Sequence, residues 1–148
     1  KNVNENIEDI KDINNNIETD SDDEEQIDFS YQNFCKLKKH QKKILMKRAK
    51  EYLPYRLEYY AKLYGYKYNK CRLTHANTRW GSCSSNKTIS LNIGLMNVPE
   101  ALRDYVILHE LAHLNHMDHS KDFWKEVASH DKNYKLHEKR LKHFSPGI

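Results

Sequence analysis

His109-Glu110-Leu111-Ala112-His113 is an H-E-x-x-H sequence. On a helix, two histidines four residues apart stand one turn above each other on one face. Their imidazoles can grip one divalent metal ion from one side. Glu110 lies about 100° round such a helix. That places it near a water on the metal but not in the ligand stack, which suits a general base. Neutral imidazoles suit zinc, which in a catalytic site takes three protein ligands and keeps one position open. The chemistry expected is metal-assisted hydrolysis.

Spacing leaves several choices for the third ligand. His116 would continue the face of a straight helix, but seven residues rise about 10.5 Å. Each ligand nitrogen must lie about 2.0–2.1 Å from a zinc, so three stacked turns converge poorly. His119 follows Asn115 and Asp118, residues that favour turns, and a reversing chain can return it to the metal. A later carboxylate, Glu126 or Glu138, is the rival. Spacing therefore ranks His119 first, a Glu second and His116 last. The pattern H-E-x-x-H-x5-H is also that of the metzincins. They place Gly where this chain has His116, so that fold is not implied.

Several elements must position these groups. Leu45, Ala49, Tyr52, Leu53, Leu57, Tyr60, Ala61 and Tyr64 predict a helix over 41–64, stopped by Gly65. Pro54 should kink it or open a second helix. Strands are expected over 66–75, 78–84 and 88–93, the last two joined as a hairpin at Ser85-Asn86-Lys87. Ile89, Leu91 and Ile93 alternate with Ser90 and Asn92, which predicts one buried face. Pro99 opens an amphipathic helix to about Asn115, buried through Leu102, Tyr105, Val106, Leu108, Leu111 and Ala112. Ser120 can cap a helix through Phe123, Trp124 and Val127, and a last helix is expected over 133–143. The result is an α+β domain, a small antiparallel sheet packed on the motif helix and flanking helices.

Trp80 reads as a core aromatic and Gly81 as a bulge, the alternative being that Arg79, Trp80 and an exposed edge bind substrate. Cys83 reads as a small core hydrophobe. Phe123 and Trp124 should pack behind the motif helix. His116 is expected outside the ligand set, and His40, His75, His130, His137 and His143 on the surface.

The 148 residues suffice for one ordinary domain. The formal charge of +4 hides a division. Residues 1–30 hold two Lys, eleven Asp+Glu and six Asn, a net of −9, whereas 31–148 carry +13. The boundary is drawn there: 1–30 as an acidic, Asn-rich disordered segment, 31–148 as the domain. Within the first segment Val3, Ile7, Ile10, Ile13 and Ile17 make only a thin helical stripe. No apolar run approaches the roughly twenty residues of a membrane helix, so no membrane partner is expected. Three widely spaced Cys exclude a disulfide scaffold and favour a reducing, cytoplasmic setting. Lys1 rather than Met opens the sequence, which leaves a targeting signal ahead of it open.

Four motifs in order carry a resemblance over about residues 41–135. They are Thr78-Arg79-Trp80-Gly81-Ser82-Cys83-Ser84, Ile89-Ser90-Leu91-Asn92, Tyr105 through His113, and His119-Ser120 with Phe123-Trp124. Together they resemble the YgjP-like metallopeptidases, allied to the SprT-like and WLM zinc peptidases. The resemblance implies a minimal zincin fold with zinc held by His109, His113 and His119, and Glu110 as catalytic acid/base. His119-Ser120-Lys121-Asp122-Phe123 matches the family pattern His-Ser/Gly-x-x-Phe. Members usually carry a β-rich segment before the first helix, where this chain has its acidic stretch. SprT-like proteins often add a zinc ribbon built on four cysteines, and no Cys follows Cys83 here.

The expected function is therefore zinc-dependent cleavage of a protein or peptide. Arg79, Trp80 and Asn115 are the expected substrate-binding residues, and Arg79, Asn115 or His116 would steady the carbonyl oxygen. A zinc-dependent nucleoside triphosphate pyrophosphohydrolase is an alternative, drawn by the basic body. So is a nucleic-acid-associated protease, through Lys36–Lys50 and Lys132–Lys142.

Overall fold

The computed structural model of the chain describes residues 31–146, with side chains from Lys38 onward. The expectation for residues 1–30 lies outside the described residues. Helix α1 runs Tyr31–Tyr64, starting ten residues before the predicted onset. Leu45, Ala49, Leu53, Leu57 and Ala61 recur every fourth residue and are all buried, so they form its core-facing stripe. Pro54 neither splits nor ends this helix. The bond it cannot donate would have reached the carbonyl of Lys50, an exposed residue whose carbonyl water can satisfy. At the far end Gly65 takes φ +75° and the Tyr66 N–H donates to the Ala61 carbonyl at 2.7 Å. This is a Schellman close, and it sets the position of Tyr66.

Three strands follow: β1 Lys70–Thr74, β2 Gly81–Cys83 and β3 Thr88–Asn92. All are shorter than periodicity predicted. The hairpin turn closes with Lys87 at φ 65° and the Lys87 N–H on the Ser84 carbonyl. The β2–β3 pair is antiparallel, as expected, but β1 runs parallel to β3, in the order β1-β3-β2. The sheet is therefore mixed. Two reversals separate β1 from β3, which leaves them pointing the same way, and β3 inserts between its predecessors. No strand pairs with the outer side of β2 among the described residues.

A short 3-10 helix, Ile93–Asn97, leads to α2 Glu100–Ala112, then α3 Lys121–His130 and α4 Tyr134–Leu141. Helix α2 lies between α1 and the sheet and buries Leu102, Val106, Ile107 and Leu111. Its rotation is fixed from α1. Arg56 donates to both carboxylate oxygens of Asp104 at 3.0 Å, and the Tyr60 hydroxyl donates to the same group at 2.9 Å. Such a bidentate pair fixes direction as well as distance. Ser120 caps α3 through a 3.3 Å bond from the Phe123 N–H, as its position predicted. Among the described residues no helix is long and apolar enough to cross a membrane.

Candidate metal centre

Helix α2 ends at Ala112, three residues earlier than predicted. His113 therefore closes the helix, and a turn through Asn115 and His116 redirects the chain. His109 and His113 still share one helical face, and the reversal brings His119 to them. One ligand atom from each of these three histidines lies within 4.8 Å of the others. The Nε2 atoms of His109 and His119 are 3.3 Å apart. Ligands about 2.05 Å from a tetrahedral zinc stand about 3.3 Å from each other. That edge already has the spacing a metal needs.

The second ring nitrogens of His113 and His109 have partners. His113 Nδ1 is 2.9 Å from the His116 carbonyl oxygen, which can only accept, so Nδ1 carries the hydrogen and Nε2 keeps its lone pair. His109 Nδ1 faces the Tyr105 hydroxyl at 3.3 Å. Phe123 and Trp124 do not pack behind α2 as predicted; they pack against the histidine rings themselves. Phe123 is fully buried and stacks on His113 at 4.4 Å with its edge to His109 and His119. Trp124 stacks on His119 at 5.8 Å and on Tyr134 at 5.4 Å. These flat contacts hold the ring planes. Burial, and then the neighbouring His113 and His119, push His109 down to about 3. Burial likewise lowers His113. Neutral imidazoles are the form that binds metal.

Glu110 is buried, and burial pushes its carboxyl up to about 8 against the opposing charge of Arg79. Gly81 lies flat against it. A Cβ built at Gly81 would come within 3.0 Å of Glu110 Cγ and of the Ser90 carbonyl. The sequence offered Gly81 as a bulge; the structure makes it the wall of the Glu110 carboxyl. A cleft of about 530 Å³ opens over His109 and Glu110. Arg79, Trp80, Val106, Leu141 and Phe144 line it, together with Glu138 and Lys142. Trp80 packs against the core, as read, and also borders the cleft. Cys83 is half-buried, and its thiol is pushed up to about 11 by burial and by Glu110. It stays protonated at neutral pH, unlike a metal-binding thiolate.

Asn115 and His116 point elsewhere. Asn115 Nδ2 donates to Glu126 at 3.0 Å, and His116 Nε2 lies 3.2 Å from the same carboxylate. Neither His130 nor His137 is a free surface group. His130 stacks on Tyr64 at 3.9 Å, and His137 Nδ1 sits 2.6 Å from Asp131. Asn92 was assigned to the polar side of β3, yet it is fully buried. Its amide donates to the carbonyls of Ala76 and Arg79 at 2.8 and 2.9 Å and accepts from the Gly94 N–H at 2.8 Å. Full satisfaction explains its burial, and its bonds hold the loop that presents Arg79 and Trp80.

A family model described as the YgjP-like metallopeptidase domain matches residues 3–144. The crystal structure of the metallopeptidase zymogen of Pyrococcus abyssi abylysin is similar, with a TM-score of 0.51 and 29% identity. The alignment covers 58% of this chain and 88% of that one. No curated protein matches the chain.

Proposed function

Because the chain belongs to the YgjP-like metallopeptidase family, we propose that it is a zinc-dependent peptidase using Glu110 as its proton carrier. The reading rests on one observation: a ligand nitrogen from each of His109, His113 and His119 lies within 4.8 Å of the others, and His109 and the buried Glu110 both face an open cleft. His109, His113 and His119 would hold the zinc. When bound, the metal supplies Lewis acidity, making a water nucleophilic near neutral pH and offsetting charge on a carbonyl oxygen. Glu110 takes the proton of the attacking water and delivers it to the leaving amine. Of the three donors considered for the carbonyl oxygen, Asn115 and His116 are engaged by Glu126, whereas Arg79 borders the cleft. We assign that role to Arg79.

The outer side of β2 supports a polypeptide substrate. The Trp80 carbonyl and the Ser84 N–H both bond to β3. By the two-residue period of a strand, the backbone groups of Gly81 and Cys83 point away from β3. An extended peptide can add there as a further strand, next to Glu110. The apolar cleft walls suit a bulky apolar side chain beside the scissile bond. Arg79 and Lys142 bring positive charge to the cleft, but the Trp80, Val106, Leu141 and Phe144 walls suit a polypeptide side chain better than a triphosphate.

Incubation with an unfolded polypeptide and with a nucleoside triphosphate, each with and without chelator, tests this. The polypeptide should be cut, chelator should stop the cutting, and added zinc should restore it. Fragment ends should be enriched in Phe, Leu or similar residues. Consumption of the triphosphate with the polypeptide intact would overturn the assignment.

Gly81→Ala gives a sharper test of the cleft. The Ser90 carbonyl belongs to the central strand and cannot retreat, so the Glu110 carboxyl must move. The carboxyl must give by a few tenths of an ångström, less than the displacement near 1 Å that costs on the order of 100-fold in rate. Turnover should fall by roughly tenfold with metal content unchanged; a variant of full activity would show that Glu110 is not confined.

A further inference from the structure

Glu126 was the nearer carboxylate rival for the third ligand, yet its oxygens are spent on the segment that joins two of the histidines. Asn115 donates to Oε2 at 3.0 Å, the Tyr66 hydroxyl donates to the same oxygen, and His116 Nε2 lies 3.2 Å from Oε1. Three polar groups thus face a carboxylate that offers about four lone-pair sites. The Tyr66 oxygen also lies 2.7 Å from His130 Nε2, one turn along α3 from Glu126. Tyr66 is itself placed by the Gly65 close of α1. A carboxylate anchored to two rigid helix ends thus holds Asn115 and His116.

Those two residues lie between His113 and His119. The carbonyl of His116 is the acceptor that keeps the hydrogen on His113 Nδ1. Releasing His116 would free that carbonyl to rotate, and His113 would lose the bond that selects its tautomer. The same release would loosen the path returning His119.

We propose that Glu126 is a positioning residue for the metal centre: through His116 and Asn115 it fixes the tautomer of His113 and the return of His119. The metal part of this inference rests on the zinc reading above; the tautomer part does not.

Glu126→Gln in the full chain tests it, because the amide turns one acceptor into a donor facing a donor. The first readout needs no metal. Ring 15N shifts of His113 should report Nδ1–H in the wild type and a tautomer mixture in the variant. The second is zinc affinity by chelator competition, expected to weaken about tenfold. Unchanged His113 shifts, or an affinity within about threefold of the wild type, would overturn the proposal. If Glu126→Gln fails to fold, Tyr66→Phe removes one of the three polar groups and keeps the ring. A shift toward the mixture there supports the proposal, and an unchanged His113 ring overturns it. A wild-type chain that takes up no zinc would instead overturn the zinc reading, and the ring shifts would still judge Glu126.

Discussion

Glu110→Gln should retain zinc and lose turnover on a peptide substrate by about 10²–10⁴-fold, the usual weight of a positioned general acid–base. Glutamine has nearly the same shape, so the contact with Gly81 survives and the cleft keeps its form. Its amide cannot take a proton from water at any useful pH. Glu110 is also the one carboxylate buried beside the histidine cluster among the described residues; Glu138 lines the cleft too but is only half-buried. Metal content and initial rates on the same purified sample decide the matter. A glutamine variant with wild-type turnover would remove Glu110 from the chemistry while leaving the metal site standing.

His113→Ala should fail on both counts. Structural zinc sites of four ligands bind with roughly 10–16 kcal/mol, or about 3–4 kcal/mol for each ligand. Loss of one imidazole should therefore weaken zinc about 10²–10³-fold. His113 is the best-held of the three rings. It is buried, stacked on Phe123 and bonded to the His116 carbonyl. The adjacent His116 faces Glu126 instead, its Nε2 3.2 Å from that carboxylate. Chelator competition measures the affinity, and the rate at saturating zinc measures the activity. The informative result is the contrast between variants: Glu110→Gln separates metal from turnover, and His113→Ala abolishes both. Zinc affinity unaltered in His113→Ala would dismiss that ring as a ligand.

Much of the site was legible because its logic is local. His109, Glu110 and His113 follow from the 3.6-residue turn of one helix, and that helix announces itself through Leu102, Tyr105, Val106 and Leu111. The Ser120 cap needs only its own four residues. What could not be read was set by contacts distant in the chain. Spacing left Glu126 as a rival ligand because nothing local says that Tyr66, sixty residues earlier, occupies its carboxylate. The parallel pairing of β1 with β3 depends on how two reversals stack, and strand patterns carry no direction. Asn92 looked solvent-facing because alternation cannot anticipate three backbone partners folded round one amide.

The sequence by itself determined the candidate metal-binding histidines, the helical phase of His109 and His113, and the hydrolytic chemistry proposed from them. These depend on covalent spacing and on the intrinsic chemistry of imidazole and carboxylate. Only the tertiary structure decided how far α2 runs before it turns back, which carboxylate is kept from the metal, and that Gly81 confines Glu110. Each of those is a competition for space or for hydrogen-bond partners among segments that meet only when the chain is folded.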